Sequence, residues 1–211
     1  MKETLEDIGL PPRQGLAGLN FEGDYRGRNT RIHCSARTRT SGSEVRNRSV
    51  VGLKLEIVMD TPVKSRLVLA PRGGKFQAWL AKTNRWFGTR PCKAPEGIEA
   101  WAAEPEWAEK LLADQPLPTG GVRLWPEHLT VTRMLPPTGV PLEDVRQSME
   151  RMADLLDAIE ADPPGRVCET VWIERQTPMV LAGALLGGVL VVGSAFSIGL
   201  VALAILLAKL F

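Results

Sequence analysis

The two histidines each stand beside a group that could share a proton: Cys34 follows His33, and Glu127 precedes His128. A thiol or carboxylate within hydrogen-bond reach of an imidazole is the minimum for nucleophilic or general acid–base catalysis. Neighbouring residues on a strand point to opposite faces, so His33 and Cys34 do not meet if that segment is extended. Glu127 and His128 belong to "PEH", with no third partner in view, and read as turn chemistry. Phosphate loops, dinucleotide glycine fingerprints, G-x-S-x-G elbows and H-E-x-x-H helices do not occur. "RGG" at 72–74 lacks the lysine and spacing of a phosphate cradle. Cys34, Cys92 and Cys168 are odd in number and far apart, with no C-x-x-C pair, and read as reduced thiols. No metal site, no cofactor and no catalytic residue is therefore expected, and the chain reads as not an enzyme. The alternative is a membrane-tethered, hydrolase-like enzyme using an unrecognised carboxylate site within residues 94–178.

The strongest charge signal is "YRGRNTRIHCSARTRTSGSEVRNR". Within it Arg26, Arg28, Arg31, Arg37, Arg39, Arg46 and Arg48 face a single acid, Glu44. Residues 25–93 hold sixteen bases against three acids, and residues 94–178 hold seven bases against sixteen acids. Three uses of the arginines stay open. They could pair with the acidic half of the same domain. They could attract anionic headgroups, by about 1 kcal/mol per basic residue near a leaflet, or a protein partner. They could contact phosphodiester backbones. Tyr25 is the single aromatic inside the cluster, too little for a base-stacking platform, so nucleic acid is the least favoured.

From Met179 to Ala208 the chain has 30 consecutive residues without formal charge. A span needs about 20, and a helical run of this length would reach roughly 45 Å, so one tilted or kinked crossing is expected. Three residues follow it, which implies insertion after synthesis, the tail-anchored arrangement. The opening "MKETLEDIGLPPRQG" has no apolar stretch of a secretory signal. Arg166 and Arg175 precede the run and Lys209 follows it, which favours a cytoplasmic soluble part. Small residues let membrane helices approach closely. Gly183 and Gly187 form one small-xxx-small pair, and Ala184, Gly188, Ala195 and Gly199 lie on a longer stripe, a candidate face for a second copy or a partner helix. Trp172 is placed at the lipid interface.

The elements that position these groups read as follows. "LNFEGDYRGRNTRIHCSA" alternates about a turn-like "RGR" and predicts a hairpin, with Leu19, Phe21 and Tyr25 on one arm and Ile32 and Cys34 on the other. "SVVGLKLEIVMDTP" predicts a strand with Val51, Leu53, Leu55 and Ile57 on its buried face. "SRLVLAP" is expected as its antiparallel neighbour. "KFQAWLAKTNRWFG" fits helix or strand equally. "GIEAWAA" predicts a short strand, and "EPEWAEKLLADQP" a helix opened by Pro105 and stopped by Pro116. "GVRLWPEHLTVTRM" predicts two strands around "PEH". "VPLEDVRQSMERMADLLDAIEADPPG" predicts the main helix, with Leu142, Val145, Met149, Met152, Leu156 and Ile159 at 3-4 spacing, ended by Pro163-Pro164-Gly165. That seam covers the domain's own sheet.

The fold class is thus α+β: a mostly antiparallel sheet with a few covering helices, plus one C-terminal transmembrane helix. Residues 1–15 form an N-terminal segment, 16–160 the cytosolic domain, 161–178 a connector and 179–208 the span. The arrangement "FEGDYRGRNTRIHCSARTRT", "VVGLKLEIVMDTPVKSRLVLAP", "EPEWAEKLLAD" and the closing amphipathic helix resembles uncharacterised bacterial membrane-associated α+β domains of unknown function. That resemblance implies a bacterial source and carries over no catalytic residue. The function expected is a tail-anchored single-pass membrane protein whose cytosolic domain is an interaction or scaffold module. Its partners are the lipid bilayer and, through the helix stripe, a second copy or a partner helix.

Overall fold

A computed structural model of the chain describes residues 10–13, 18–40, 48–72, 88–138 and 141–169. The chain divides into two compact units, Met1–Glu169 and Thr170–Phe211, and the described residues all belong to the first.

Nine strands among the described residues form one sheet. They are β1 (Pro12–Arg13), β2 (Leu19–Tyr25), β3 (Arg28–Thr40), β4 (Arg48–Asp60), β5 (Leu67–Pro71), β6 (Arg90–Cys92), β7 (Ile98–Ala102), β8 (Gly121–Trp125) and β9 (His128–Leu135). The order across the sheet is β1-β2-β3-β4-β9-β8-β5-β7-β6, and every pairing is antiparallel. The β2–β3 hairpin turns through Arg26 and Gly27, both at positive φ (51° and 77°), the primed-turn geometry whose twist matches the strands. Gly27 N–H donates to Asp24 Oδ1 at 2.9 Å, so the turn is held by the side chain of the strand residue just before it.

Alternate residues of the central strands, among them Phe21, Ile32, Leu55, Ile57, Leu129, Val131, Val122 and Leu124, fall on one face and are buried. Two helices cover that face: α1 (Pro105–Asp114) and α2 (Leu142–Ala161). Pro105 sits at the start of α1, where its missing N–H costs nothing. The α2 seam is Val145, Met149, Met152, Leu156 and Ile159, all fully buried, with Leu142 partly so. Ser148, Ala153 and Leu155 widen the stripe, as a sheet-covering helix requires. Arg133, on the covered face of β9, fastens the start of α2 through Asp144 Oδ2 (3.2 Å) and Ser148 Oγ (3.3 Å). The expected α+β class, with its antiparallel sheet and covering helices, is the fold observed.

Two local expectations are corrected. "SRLVLAP" does not pair with β4: β5 lies between β7 and β8, while β4 lies between β3 and β9. The β8–β9 hairpin, formed from residues far downstream, takes the place beside β4 that sequence proximity had assigned to β5. Val51 does not share the buried face of Leu55 and Ile57 but is 49% exposed. The β3–β4 register runs Arg37↔Gly52 and then Thr38↔Val50, so Val51 is the extra residue of a bulge, which breaks the alternation. The run 179–208, its small-residue stripe, Trp172 and residues 75–87 lie outside the described residues. Among the described residues no helix is long and apolar enough to cross a membrane.

Candidate functional site

The arginine-rich stretch is distributed over two opposite poles of the sheet. At the first pole meet the β2–β3 turn, the end of β4, the β8–β9 turn and the end of α2. They enclose an open polar cleft of about 580 Å³ lined by Arg28, Arg31, Asp60, Thr61, Glu127, His128 and Glu160, among others. Its arginines are already engaged. Arg28 Nη2 lies 2.8 Å from both Asp157 Oδ1 and Glu160 Oε2, with its side chain only 13% exposed. Arg31 pairs with Asp60 at 2.8 Å, and Asn29 Nδ2 donates to the other Asp60 oxygen at 2.9 Å. Thr61 Oγ1 donates to Glu160 Oε1 at 2.9 Å. Just outside, Arg26 pairs with Asp154 at 2.7 Å and lies over the Tyr25 ring.

Glu127 takes a left-handed backbone, φ 78°, at a cost of roughly 1–2 kcal/mol for a residue with a Cβ. It is held there by two backbone hydrogen bonds, Thr61 N–H to Glu127 O (2.9 Å) and Glu127 N–H to Val63 O (3.1 Å). "PEH" is thus a turn, and it is clamped to the end of β4. Among the described residues no group of three His, Cys, Asp or Glu side chains could hold a metal ion.

The described chain leaves from this same pole. Cys168 N–H donates to Lys64 O at 2.7 Å, and Arg66 Nη2 donates to Glu169 O at 2.9 Å. The Arg66 guanidinium is buried against the Trp125 ring, 5.1 Å from its centroid. Trp107 Nε1 donates to Asp162 O at 2.7 Å, so the stretch after α2 is tied to the domain along its length.

At the second pole the β3–β4 hairpin outruns its neighbours. β2 stops pairing at Leu19↔Cys34 and β9 at Leu53↔Leu135. The ladder of β3 with β4 continues to Thr40↔Arg48, leaving a two-stranded arm of Ser35–Thr40 and Arg48–Gly52. Arg37 is exposed, and its described contact is the Met134 sulfur at 3.8 Å rather than a carboxylate. Arg39 stands opposite Ser49 and Arg48 opposite Thr40 on the arm, while the side chains of both arginines and the whole of Arg46 lie outside the described residues. Of the five exposed large hydrophobic residues among those described, Leu19, Val50, Val51 and Met134 belong to the arm or to the strand ends at its root.

His33 and Cys34 point to opposite faces: Cys34 is buried in the core, while His33 Nδ1 is hydrogen-bonded to Asn20 Oδ1. Burial pushes the Cys34 thiol up from its ordinary value. Cys92 is pushed up to about 11 by burial and by the nearby Glu109 carboxylate. Both are poor nucleophiles at neutral pH, since the thiolate is the reactive form. The sequence reading identified the basic residues but missed their division into a neutralised pole and an arm. No local sequence signal marks the arm, which rests on the strand lengths of the fold: β3 and β4 have 13 residues each, against 7 for β2 and 8 for β9.

No protein-family model matches the chain, and no curated protein matches it. One solved structure similar to it is the crystal structure of the mycobacterial trehalose monomycolate transport factor A, TtfA. The two share 10% identity over 79% of this chain and 87% of that one, with a TM-score of 0.43. A likeness of that size assigns neither a family nor an activity.

Proposed function

We propose that the protein is a tail-anchored, single-pass membrane protein whose α+β domain is a cytoplasmic, non-enzymatic interaction module. Its contact surface for an anionic leaflet or a protein partner is the basic arm. The anchor reading rests on the 30 uncharged residues from Met179 to Ala208, longer than a bilayer crossing needs. One observation carries the choice of surface. The arginines at the cleft pole are satisfied by carboxylates of the same chain, whereas the arm joins Arg37 to exposed Val50, Val51 and Met134 with no acid among its described residues. Met134 shares the face of Arg37, and Val50, paired with Thr38, is exposed on the other face, so both faces of the arm offer apolar side chains to something else. The carboxylates of the cleft favour this reading over a hydrolase, because Asp60 and Glu160 are taken up by Arg31 and Arg28.

Purification of the full-length protein from native membranes, followed by identification of co-purifying protein and lipid, tests the module. Changing Arg37, Arg39, Arg46 and Arg48 to Glu is expected to remove a specific protein or the anionic lipid from the eluate. An identical eluate from both forms overturns the assignment of the arm. The stripe of Ala184, Gly188, Ala195 and Gly199, with Gly183 and Gly187, is proposed as the face joining membrane helices. Replacing Gly188 and Gly199 with Leu is expected to abolish the dimer signal in a membrane two-hybrid assay, and an unchanged signal removes that face.

A further inference from the structure

The arm has two outer edges, and they differ. The β4 edge is interrupted by the bulge at Val51, and β9 beside it ends in Leu135 followed by Pro136 and Pro137, residues with no N–H to extend a ladder. The β3 edge, Ser35 to Thr40, holds neither proline nor acid and is fully paired with β4 on its inner side. Among the described residues nothing pairs with it beyond Cys34. On a strand with one neighbour, about every second residue directs its N–H and C=O outward. Such an edge is a template for another strand.

We infer that this β3 edge takes up an extended, acidic segment of a protein partner by strand addition. Arg37, exposed and in contact with the Met134 sulfur rather than a carboxylate, selects its charge. The inference rests on the proposed role of the arm and names its partner. A second copy of the chain is the poorer occupant, because self-pairing of the edge would set arginine against arginine, and like charges across a ladder oppose pairing. A lipid surface would meet the arginines but leave the outward N–H and C=O groups of the edge without a ladder. The chain exit at Glu169 lies at the other pole, so the edge is not obstructed by the described stretch that leads away.

The test uses the full-length protein in zwitterionic nanodiscs and three probes. These are a synthetic peptide of alternating Glu and Val, the same peptide N-methylated at alternate residues, and vesicles containing phosphatidylglycerol. The plain peptide is expected to bind saturably and to slow amide hydrogen exchange across residues 35–40. Binding should weaken at least tenfold on N-methylation, which removes ladder donors without altering charge, and at least tenfold in R37E. Equal binding of the two peptides overturns strand addition while leaving a basic contact surface in place. No peptide binding, with vesicle binding that R37E abolishes, replaces the partner with lipid and overturns the inference but not the arm. No binding of any probe, together with self-association of R37T, reduces Arg37 to a guard against edge pairing and overturns both readings.

Discussion

Arg28 and Arg26 stand two residues apart and both meet carboxylates of α2, yet their surroundings assign them different weights. Arg26 and Asp154 are each about half exposed, and the hydrogen bond that Arg26 donates to Asp154 holds the guanidinium above its ordinary pKa. An exposed pair of this kind contributes at most about 1 kcal/mol. Arg28 is nearly buried between Asp157 and Glu160, and Glu160 is also bonded to Thr61. Removing Arg28 leaves Glu160 half-enclosed without its cation, which costs more than the pair itself contributes. The Nε of Arg28 is buried with no acceptor, which holds the loss below that of a fully satisfied buried pair. R28A is therefore expected to lose about 2 kcal/mol, roughly 4–8 °C in thermal midpoint for a domain of this size, and R26A less than about 1 kcal/mol. Denaturation of the two variants side by side checks the ranking, and equal losses would show that exposure does not govern these pairs.

At the scale of elements, legibility followed periodicity and failed where pairing is non-local. The helix of residues 142–161 was readable because its apolar positions recur at 3-4 spacing and prolines bracket it. The β8–β9 hairpin was readable because two short alternating runs flank a turn. The partner of β4 was not readable: β9 reaches it from 68 to 82 residues away, and nothing local distinguishes that strand from β5. The bulge at Val51 was equally hidden, since a single inserted residue leaves the hydrophobic pattern of Val51, Leu53, Leu55 and Ile57 intact on paper while shifting the first of them out of the core. The arm itself depends on where β2 and β9 stop, and the end of a ladder is a property of two strands together. The arginines were visible as a cluster, but Asp154, Asp157 and Glu160, the acids that neutralise part of it, lie over 125 residues away on α2.

At the scale of the whole molecule, the segregation of charge and hydropathy along the chain predicts which part stands alone. The buried cluster runs from Leu10 to Ile159 and draws on all but the shortest strands and both helices. Beyond it, Asp162, Arg166, Cys168 and Glu169 are hydrogen-bonded back to α1, to the residues beside it and to the entry of β5, so the ordered network continues to the end of the first unit. The buried cluster described is drawn from residues of the first unit. A chain ending at Glu169 is accordingly expected to fold, to remain in the aqueous fraction and to keep the thermal midpoint of the first unit within about 2 °C. The full chain is expected in the membrane fraction and to resist alkaline carbonate, because stripping the 30 uncharged residues from lipid would expose an apolar surface that water does not accept. Fractionation of both forms, with thermal melts of each, separates two failures. A truncated chain that does not fold would show that the second unit completes the domain, whereas a full chain released by carbonate would remove the anchor and leave the folded domain untouched.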